Sequence, residues 1–277
     1  GNINIGASGI GIYTTNDGAN TNTELKNTGE INLNGDEAKG IIAYKANTNK
    51  VFIGGKITGT KNRLIGMFFK SVNDTKISLG NNAKGLVFEG SNFNVTTTSG
   101  KNQIKVGGTT EEANRSIGVV AKGSSGTIAN TDVIIGAGGT KQSIGLYANG
   151  GTLTFDSTNG ELKATGGNAI LAYADGATSK VAINGGRTLK VGTNSIGVGA
   201  NSGSVIANTS TQIEVNGENG IGAYVKDNGS ISSNFEVKVK GAKGRGVYAT
   251  GAVGSLAKVT EISGNSSIGY VLQNVTN

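Results

Sequence analysis

Carboxylates are the side chains of this 277-residue chain best suited to hydrolytic chemistry, because it has no His and no Cys. Without these residues it cannot form a Ser-His-Asp or Cys-His catalytic arrangement or the usual zinc sites. Glycosidases need two carboxylates at a controlled separation, and Glu111 and Glu112 are adjacent acidic residues in the predicted loop. Solvated charges in a loop are the simpler interpretation of this pair.

Other catalytic motifs are incomplete in the sequence. Asn130-Thr131-Asp132 matches one piece of the polygalacturonase pattern, but the accompanying Asp pair and His motif are missing. The chain has no P-loop, dinucleotide fingerprint or calcium-binding nonapeptide repeat. We therefore expect no enzyme activity, no cofactor and no metal site. Carboxylates from successive repeats could still meet in space, an arrangement that only a structure can reveal.

Aromatic rings offer a second chemistry, the binding of a ligand. Five rings follow the same short motif of aliphatic, Gly and aliphatic residues: Tyr13, Phe68, Tyr147, Tyr224 and Tyr248. Strand alternation predicts that the residues on either side of the Gly point inward, and that the Gly and the aromatic residue point outward. An exposed row of rings suits sugar rings or a protein partner. Alternatively, a bulge or corner turns the rings inward, or the rings only stack on one another.

The motif recurs through the whole chain. It is centred on Gly11, Gly40, Gly66, Gly85, Gly118, Gly145, Ala169, Gly197, Gly222, Gly246 and Gly269, where Ala169 replaces the Gly in one copy. Gly11 and Gly269 are 258 residues and ten steps apart, so one repeat has about 26 residues. Such a fixed period indicates a stacked repeat architecture.

Two further apolar runs precede each motif. One is an alternating run such as Leu189-Lys190-Val191, typical of a half-buried strand. In several copies a Gly follows this run and lies five residues before the motif Gly. The fixed spacing predicts a corner where this Gly has a positive φ. The glycines at this position are Gly35, Gly80, Gly192, Gly217 and Gly241. The other run, such as Val181-Ala182-Ile183, is often followed by an Asn, a residue that tolerates the left-handed conformation of a tight corner. The residues at this position are Asn130, Asn184, Asn208 and Asn234.

Together these patterns predict a right-handed parallel β-helix formed by residues 1–277 as a single segment. It should have about eleven coils of roughly 26 residues, each with three short strands. A single repeat cannot bury its own apolar side chains, whereas stacked coils form a continuous core. The spacing of 33 residues between Gly85 and Gly118 predicts a protruding loop within residues 96–114.

Three segments resemble a known class of surface proteins. Residues 143–148 (SIGLYA), 220–225 (GIGAYV) and 244–249 (GRGVYA), with their Asn-, Thr- and Gly-rich connections, are similar to passenger domains of type V autotransporters. The Lys- and Asn-rich composition is most similar to that of the large fusobacterial outer-membrane autotransporter adhesins. This resemblance implies an extracellular passenger at the bacterial cell surface, anchored through an outer-membrane barrel that this chain does not include. The chain is then a fragment of a longer passenger.

The resemblance implies adhesion as the function, with a glycan or protein on host or bacterial cells as the partner. The alternatives are a structural stalk that binds nothing and a toxin-type passenger. The net charge of +7 is scattered, so no basic stripe indicates nucleic-acid binding. Unpaired strand edges at the two ends of the coil array predict end-to-end self-association.

Overall fold

The computed structural model shows an all-β chain. It describes residues 1–15, 24–27, 29–44, 50–53, 56–61, 65–68, 71–73, 76–80, 83–90, 92–96, 100–107, 116–136, 142–156 and 158–276. None of these residues forms a helix. Short strands with frequent β-branched residues, separated by Gly- and Asn-rich corners, explain why strands form in preference to helices.

Most coils contribute one strand to each of three faces. The first sheet contains β1 (Ile3–Ile5), β4 (Glu30–Leu33), β7 (Lys56–Gly59), β10 (Lys76–Leu79), β13 (Asn102–Val106), β16 (Thr131–Ile135) and β19 (Leu162–Ala164). In later coils the corresponding strands form a fourth sheet, with β22 (Leu189–Val191), β25 (Thr211–Val215), β28 (Phe235–Val239) and β30 (Lys258–Ile262).

The second sheet carries the Gly motif and has eleven strands. They are β2 (Ile10–Thr15), β5 (Lys39–Tyr44), β8 (Ile65–Phe68), β11 (Lys84–Glu89), β14 (Ile117–Lys122), β17 (Ser143–Asn149), β20 (Ala169–Asp175), β23 (Ile196–Asn201), β26 (Ile221–Lys226), β29 (Arg245–Ala252) and β31 (Ile268–Thr276). The third sheet contains β3 (Glu24–Asn27), β6 (Lys50–Ile53), β9 (Ser71–Asn73), β12 (Phe93–Thr96), β15 (Gly126–Ile128), β18 (Gly151–Asp156), β21 (Ser179–Asn184), β24 (Ser204–Ala207) and β27 (Ser230–Ile231).

Neighbouring strands in every sheet are parallel and come from successive coils. In the second sheet, for example, Ile117 pairs with Ile144 and Ile144 pairs with Ile170. The parallel β-helix and its repeat of about 26 residues are therefore confirmed. Because the third sheet has nine strands among the described residues, complete three-strand coils are slightly fewer than the eleven expected.

The core is one continuous column inside the coils. Leu146, Val198 and Val247 of the second sheet are fully buried in it. The largest buried side chains are Phe88, Phe155 and Phe235, which fill the space between the three faces. Each coil thus buries its apolar side chains against the coils above and below it.

The motif Gly points into the core, contrary to the prediction that it faces outward with the aromatic residue. A Cβ atom on Gly145 would lie 2.7 Å from Cδ1 of the core residue Leu162 and 2.5 Å from the carbonyl oxygen of Leu171. Ile144, predicted to face inward, belongs to a separate apolar cluster beneath tyrosine rings. Gly145 and Leu146 therefore both face inward, which breaks the strand alternation at the motif.

The Gly five residues before the motif has a different role from the one predicted. None of these glycines has a positive φ. Instead the backbones of successive coils approach closely there: a Cβ atom on Gly217 would lie 2.0 Å from the amide nitrogen of Thr193. The left-handed residue comes two positions later, at Asn219 (φ 56°) and Lys243 (φ 53°). The corner therefore needs Gly for close approach and a left-handed residue beside it.

The predicted Asn corners are only partly correct. Asn130 has φ 49°, but Asn184, Asn208 and Asn234 do not have a positive φ. The apolar run before an Asn therefore did not identify the left-handed position at these three corners. Equivalent polar side chains do bond from coil to coil: Asn32 donates to Asn4 over 3.0 Å.

The segment 96–114, predicted to protrude as a loop, contains strand β13 of the first sheet. Asn102, within this strand, is completely buried. Thr96 ends β12, and residues 97–99 and 108–114 lie outside the described residues.

Candidate binding surface

The aromatic positions of the second sheet form one row along its outer face. Strand register aligns Val120, Tyr147, Tyr173, Gly199, Tyr224, Tyr248 and Val271 in successive coils. The four tyrosines are half-buried. We call Tyr147, Tyr173, Tyr224 and Tyr248 the tyrosine row. It points outward because each residue follows an inward-facing core residue in its strand.

The tyrosine row consists of two stacked pairs. The ring centroids of Tyr147 and Tyr173 are 6.3 Å apart with the ring planes 6° from parallel. Those of Tyr224 and Tyr248 are 5.7 Å apart at 14°. The rings of each pair therefore stack on one another, as the alternative interpretation proposed. They also lie on the outer face of the sheet, as strand alternation predicted.

Gly199 separates the two pairs. It offers no side chain between Tyr173 and Tyr224, and Tyr173 leans over it: a Cβ atom on Gly199 would lie 2.6 Å from Cδ2 of Tyr173. The ring face of Tyr224 toward Gly199 is thus not covered by a stacked ring. The row has a gap at one coil, bordered by aromatic rings on both sides.

An apolar cluster lies beneath the rings. Ile144, Ile170 and Ile196 are 0%, 5% and 8% exposed, and Tyr147 and Tyr173 pack against them. The rings therefore shield isoleucine side chains that face away from the core. This packing fixes the ring positions on a rigid sheet, as a pre-organised binding surface requires.

Asp175 connects the tyrosine row to a parallel row of polar side chains. Its Oδ2 accepts a hydrogen bond of 2.9 Å from the Tyr147 hydroxyl, and its Oδ1 accepts one of 2.8 Å from the Asn201 amide. Asn149 donates to the Asp175 carbonyl oxygen over 3.2 Å. Amide, carboxylate and phenol groups in a line beside ring faces can bind ligand hydroxyls.

A basic residue continues this polar row. Lys226 pairs with Asn201 in the strand register and forms an ion pair of 3.0 Å with Asp227. The hydrogen bond from Lys226 to Asp227, reinforced by their charges, raises the pKa of Lys226 above its ordinary value. Lys226 therefore remains positively charged beside Tyr224.

Comparisons with protein-family models, with curated proteins and with solved structures found no match.

The structure separates the predicted aromatic residues into different environments. Tyr224 and Tyr248 lie together, and Tyr147 lies beside Tyr173. Tyr13 is 55% exposed in the first coil, where its partner in the next coil is Ile42. Phe68 occupies the same register position in β8, but its side chain lies outside the described residues.

Tyr173 is the row residue that sequence reasoning missed. The sequence pattern predicts that Ala169 occupies the Gly position of its repeat. In the structure, however, Ile170 pairs with Ile144 and Tyr173 pairs with Tyr147. The Gly position is therefore occupied by the buried Leu171. An alignment on the shared Tyr-Ala step, at 147–148 and 173–174, would have found the correct register.

The acidic residues considered for catalysis lie in unrelated surroundings. Glu111 and Glu112 fall outside the described residues. Asp132 accepts a bond from the Glu161 amide at 3.0 Å and faces Lys101 at 3.4 Å, so it joins neighbouring coils. Within the described ranges no three acidic residues converge as metal ligands. No described segment is a helix capable of crossing a membrane.

Proposed function

We propose that this chain is part of an adhesin passenger at the bacterial cell surface, and that its tyrosine row binds a glycan on host or bacterial cells. The observation that carries the proposal is the pair of tyrosine stacks beside Asn149, Asp175 and Asn201 on one rigid face. Aromatic rings bind the apolar faces of sugars, because their electron-rich faces attract the sugar C–H groups. The adjacent polar side chains are suited to the sugar hydroxyls.

The arrangement favours an extended ligand. Equivalent residues in adjacent coils are separated by about 4.8 Å, so the two tyrosine pairs, with the gap at Gly199 between them, extend over several coils along the rod. A linear oligosaccharide can contact several positions together, which raises the overall affinity of weak single contacts.

The decisive experiment measures binding of the whole chain to a glycan array and to cells. A variant with Tyr147→Ala, Tyr173→Ala, Tyr224→Ala and Tyr248→Ala should lose at least tenfold in affinity, since each stacked ring contributes about 1 kcal/mol or more. Tyr270→Ala removes a ring outside the row and serves as the matched control. Unchanged binding by the row variant would remove the tyrosines from the proposal.

A structural stalk is the second candidate function. Ring stacking and the bond from Tyr147 to Asp175 also join successive coils, which is what a stalk requires. A stalk predicts no saturable binding of the native chain to any glycan or cell, together with a loss of thermal stability in the row variant. Saturable binding that the row variant loses while it remains folded would favour the adhesin.

A further inference from the structure

The ladder of parallel strands is interrupted at one place, between β19 and β22. These strands come from successive coils and occupy the same face, yet they belong to different sheets, and no backbone hydrogen bond joins them among the described residues.

A cleft of about 350 Å³ fills this interruption. Its floor contains Leu162 and Leu189, which are 5% and 2% exposed, and Ala164. The main-chain N–H and C=O groups that β19 and β22 turn toward each other have no strand partner across it. Such groups need hydrogen bonds, and ligand hydroxyls can supply them. The volume lies in the range of small-ligand sites.

Three basic side chains surround the cleft, against one acidic side chain. The basic residues are Lys163, Arg187 and Lys190, and the acidic one is Glu161. Glu161 bonds to Lys163 over 2.7 Å, whereas Arg187 and Lys190 make no ion pair within the described part of the chain. The carboxylate of Glu214, beside Lys190, is bonded to Lys240 at 2.9 Å.

Arg187 is held over the cleft from one side. Gly185 (φ 97°) and Gly186 (φ 66°) turn the chain just before it. Its guanidinium group donates a hydrogen bond of 3.0 Å to the carbonyl oxygen of Thr158 in the preceding coil. A guanidinium has five N–H donors, so this single bond leaves others for an oxyanion.

We propose that this cleft binds an acidic sugar, with its carboxylate or sulfate group held by Arg187 and Lys190 and its hydroxyls bonded to the main-chain groups that β19 and β22 turn toward each other. A bidentate guanidinium–oxyanion pair is among the strongest polar contacts in proteins. The aliphatic floor and the absence of aromatic side chains from the lining favour a sugar over a nucleic-acid base, which needs a stacking platform. The cleft lies outside the second sheet, so this proposal does not depend on the tyrosine row.

Calorimetric titration of the whole chain tests this site, with a sulfated uronic-acid disaccharide, its unsulfated parent and inorganic sulfate as probes. The sulfated probe, the unsulfated probe or both should bind, and which of them binds identifies the anion as sulfate or carboxylate. Raising the salt from about 0.05 to 0.5 M should weaken this binding, because screening reduces the attraction between charges. Binding of inorganic sulfate with equal affinity would identify an adventitious ion only and overturn the proposal, as would no binding by either disaccharide.

Variants assign the binding to the cleft. Arg187→Gln and Lys190→Gln should each weaken binding about tenfold, the usual effect of losing a charged hydrogen bond. Glu161→Gln should strengthen it, because this change removes a competing carboxylate and releases Lys163. Lys180→Gln removes a positive charge from the third sheet of the same coil and should leave affinity unchanged. Equal losses in Lys180→Gln and Arg187→Gln would show a non-specific effect of charge and overturn the site.

Two further comparisons separate this proposal from others. The variant lacking the tyrosine row should bind the disaccharide with native affinity, so failure of the row would leave the cleft intact. A short single-stranded oligonucleotide should bind no better than inorganic sulfate. Tighter binding that depends on Arg187 would assign the cleft to nucleic acid instead. Circular dichroism of each variant confirms that changes in affinity do not come from unfolding.

Discussion

The hydroxyl of Tyr147 donates a hydrogen bond of 2.9 Å to the carboxylate of Asp175 in the next coil. Tyr147→Phe should therefore lower the free energy of unfolding by about 1 kcal/mol, since the ring stack remains and this hydrogen bond is lost. Tyr147→Ala should cost more, because it also uncovers Ile144. Urea denaturation measures both effects. Tyr13→Phe, which alters an exposed hydroxyl in the first coil, outside the tyrosine row, should change stability little; an equal loss there would contradict the assignment.

The motif glycines should not tolerate a methyl group. Gly145→Ala places Cβ against the Leu171 carbonyl oxygen and the Leu162 side chain, so we expect a loss of about 1–3 kcal/mol, typical of overpacking. Gly6→Ala is the control, since no atom lies within 4 Å of its Cβ position. Thermal unfolding followed by circular dichroism distinguishes the two. A Gly145 variant as stable as the native chain would mean that the coils separate easily.

The corner before the motif should depend on a left-handed residue. Asn219 has φ 56°, so Asn219→Ala should lower stability by about 1 kcal/mol, the usual cost of this conformation for a residue with a Cβ. Asn219→Gly should be at least as stable as the native chain, because Gly adopts the conformation without strain. If the Gly variant is also destabilised, the Asn219 side chain itself contributes to the free energy of unfolding, and the backbone conformation alone does not explain the loss. Denaturant titration of the three proteins decides this.

Acid should weaken the coils near the fourth sheet. The hydrogen bond from Lys240 holds the pKa of Glu214 below its ordinary value. A carboxylate with a lowered folded pKa stabilises the fold above its unfolded pKa, and this contribution disappears as the pH falls through the folded value. We expect stability to decline below about pH 4.3, the usual pKa of Glu.

Glu214→Gln tests this effect, since it should make the decline at low pH shallower. Glu236→Gln, which removes a carboxylate from the adjacent strand without removing the bond to Lys240, provides the comparison. The effect should be small, because Glu214 lies near the surface and exposed ion pairs contribute little. Identical pH profiles for native chain and Glu214→Gln would refute it.

End-to-end association of this 277-residue chain remains a prediction. The last described strand exposes Ile268, Tyr270 and Leu272 at 51%, 44% and 55%, and it forms the edge of the second sheet among the described strands. Ile268→Lys with Leu272→Lys should shift sedimentation profiles at high concentration toward the monomer, because charges on an open edge oppose strand pairing. A native chain that sediments as a monomer at all concentrations would disprove the association.

The period of the Gly motif was sufficient to predict the coil and its three strands, because a strand ladder between identical repeats requires the same residue types at the same spacing. Sequence spacing also located the outward ring positions at Tyr147, Tyr224 and Tyr248. It failed at Tyr173, where Leu171 replaces the motif Gly. A core position accepts any apolar residue that fits, so the motif Gly was a less reliable marker than the register.

Only the tertiary structure showed that the motif Gly faces the core and which corner residue has the left-handed conformation. Both depend on the distance between backbones of neighbouring coils, which sequence alternation does not contain: Gly217 is required because Thr193 of the preceding coil lies against it. The cleft between β19 and β22 has the same origin. Its two strands come from successive coils, but they belong to different sheets, and no backbone hydrogen bond joins them among the described residues. The sequence alone determined the repeat, whereas contacts between coils decided which surfaces it could offer to a ligand.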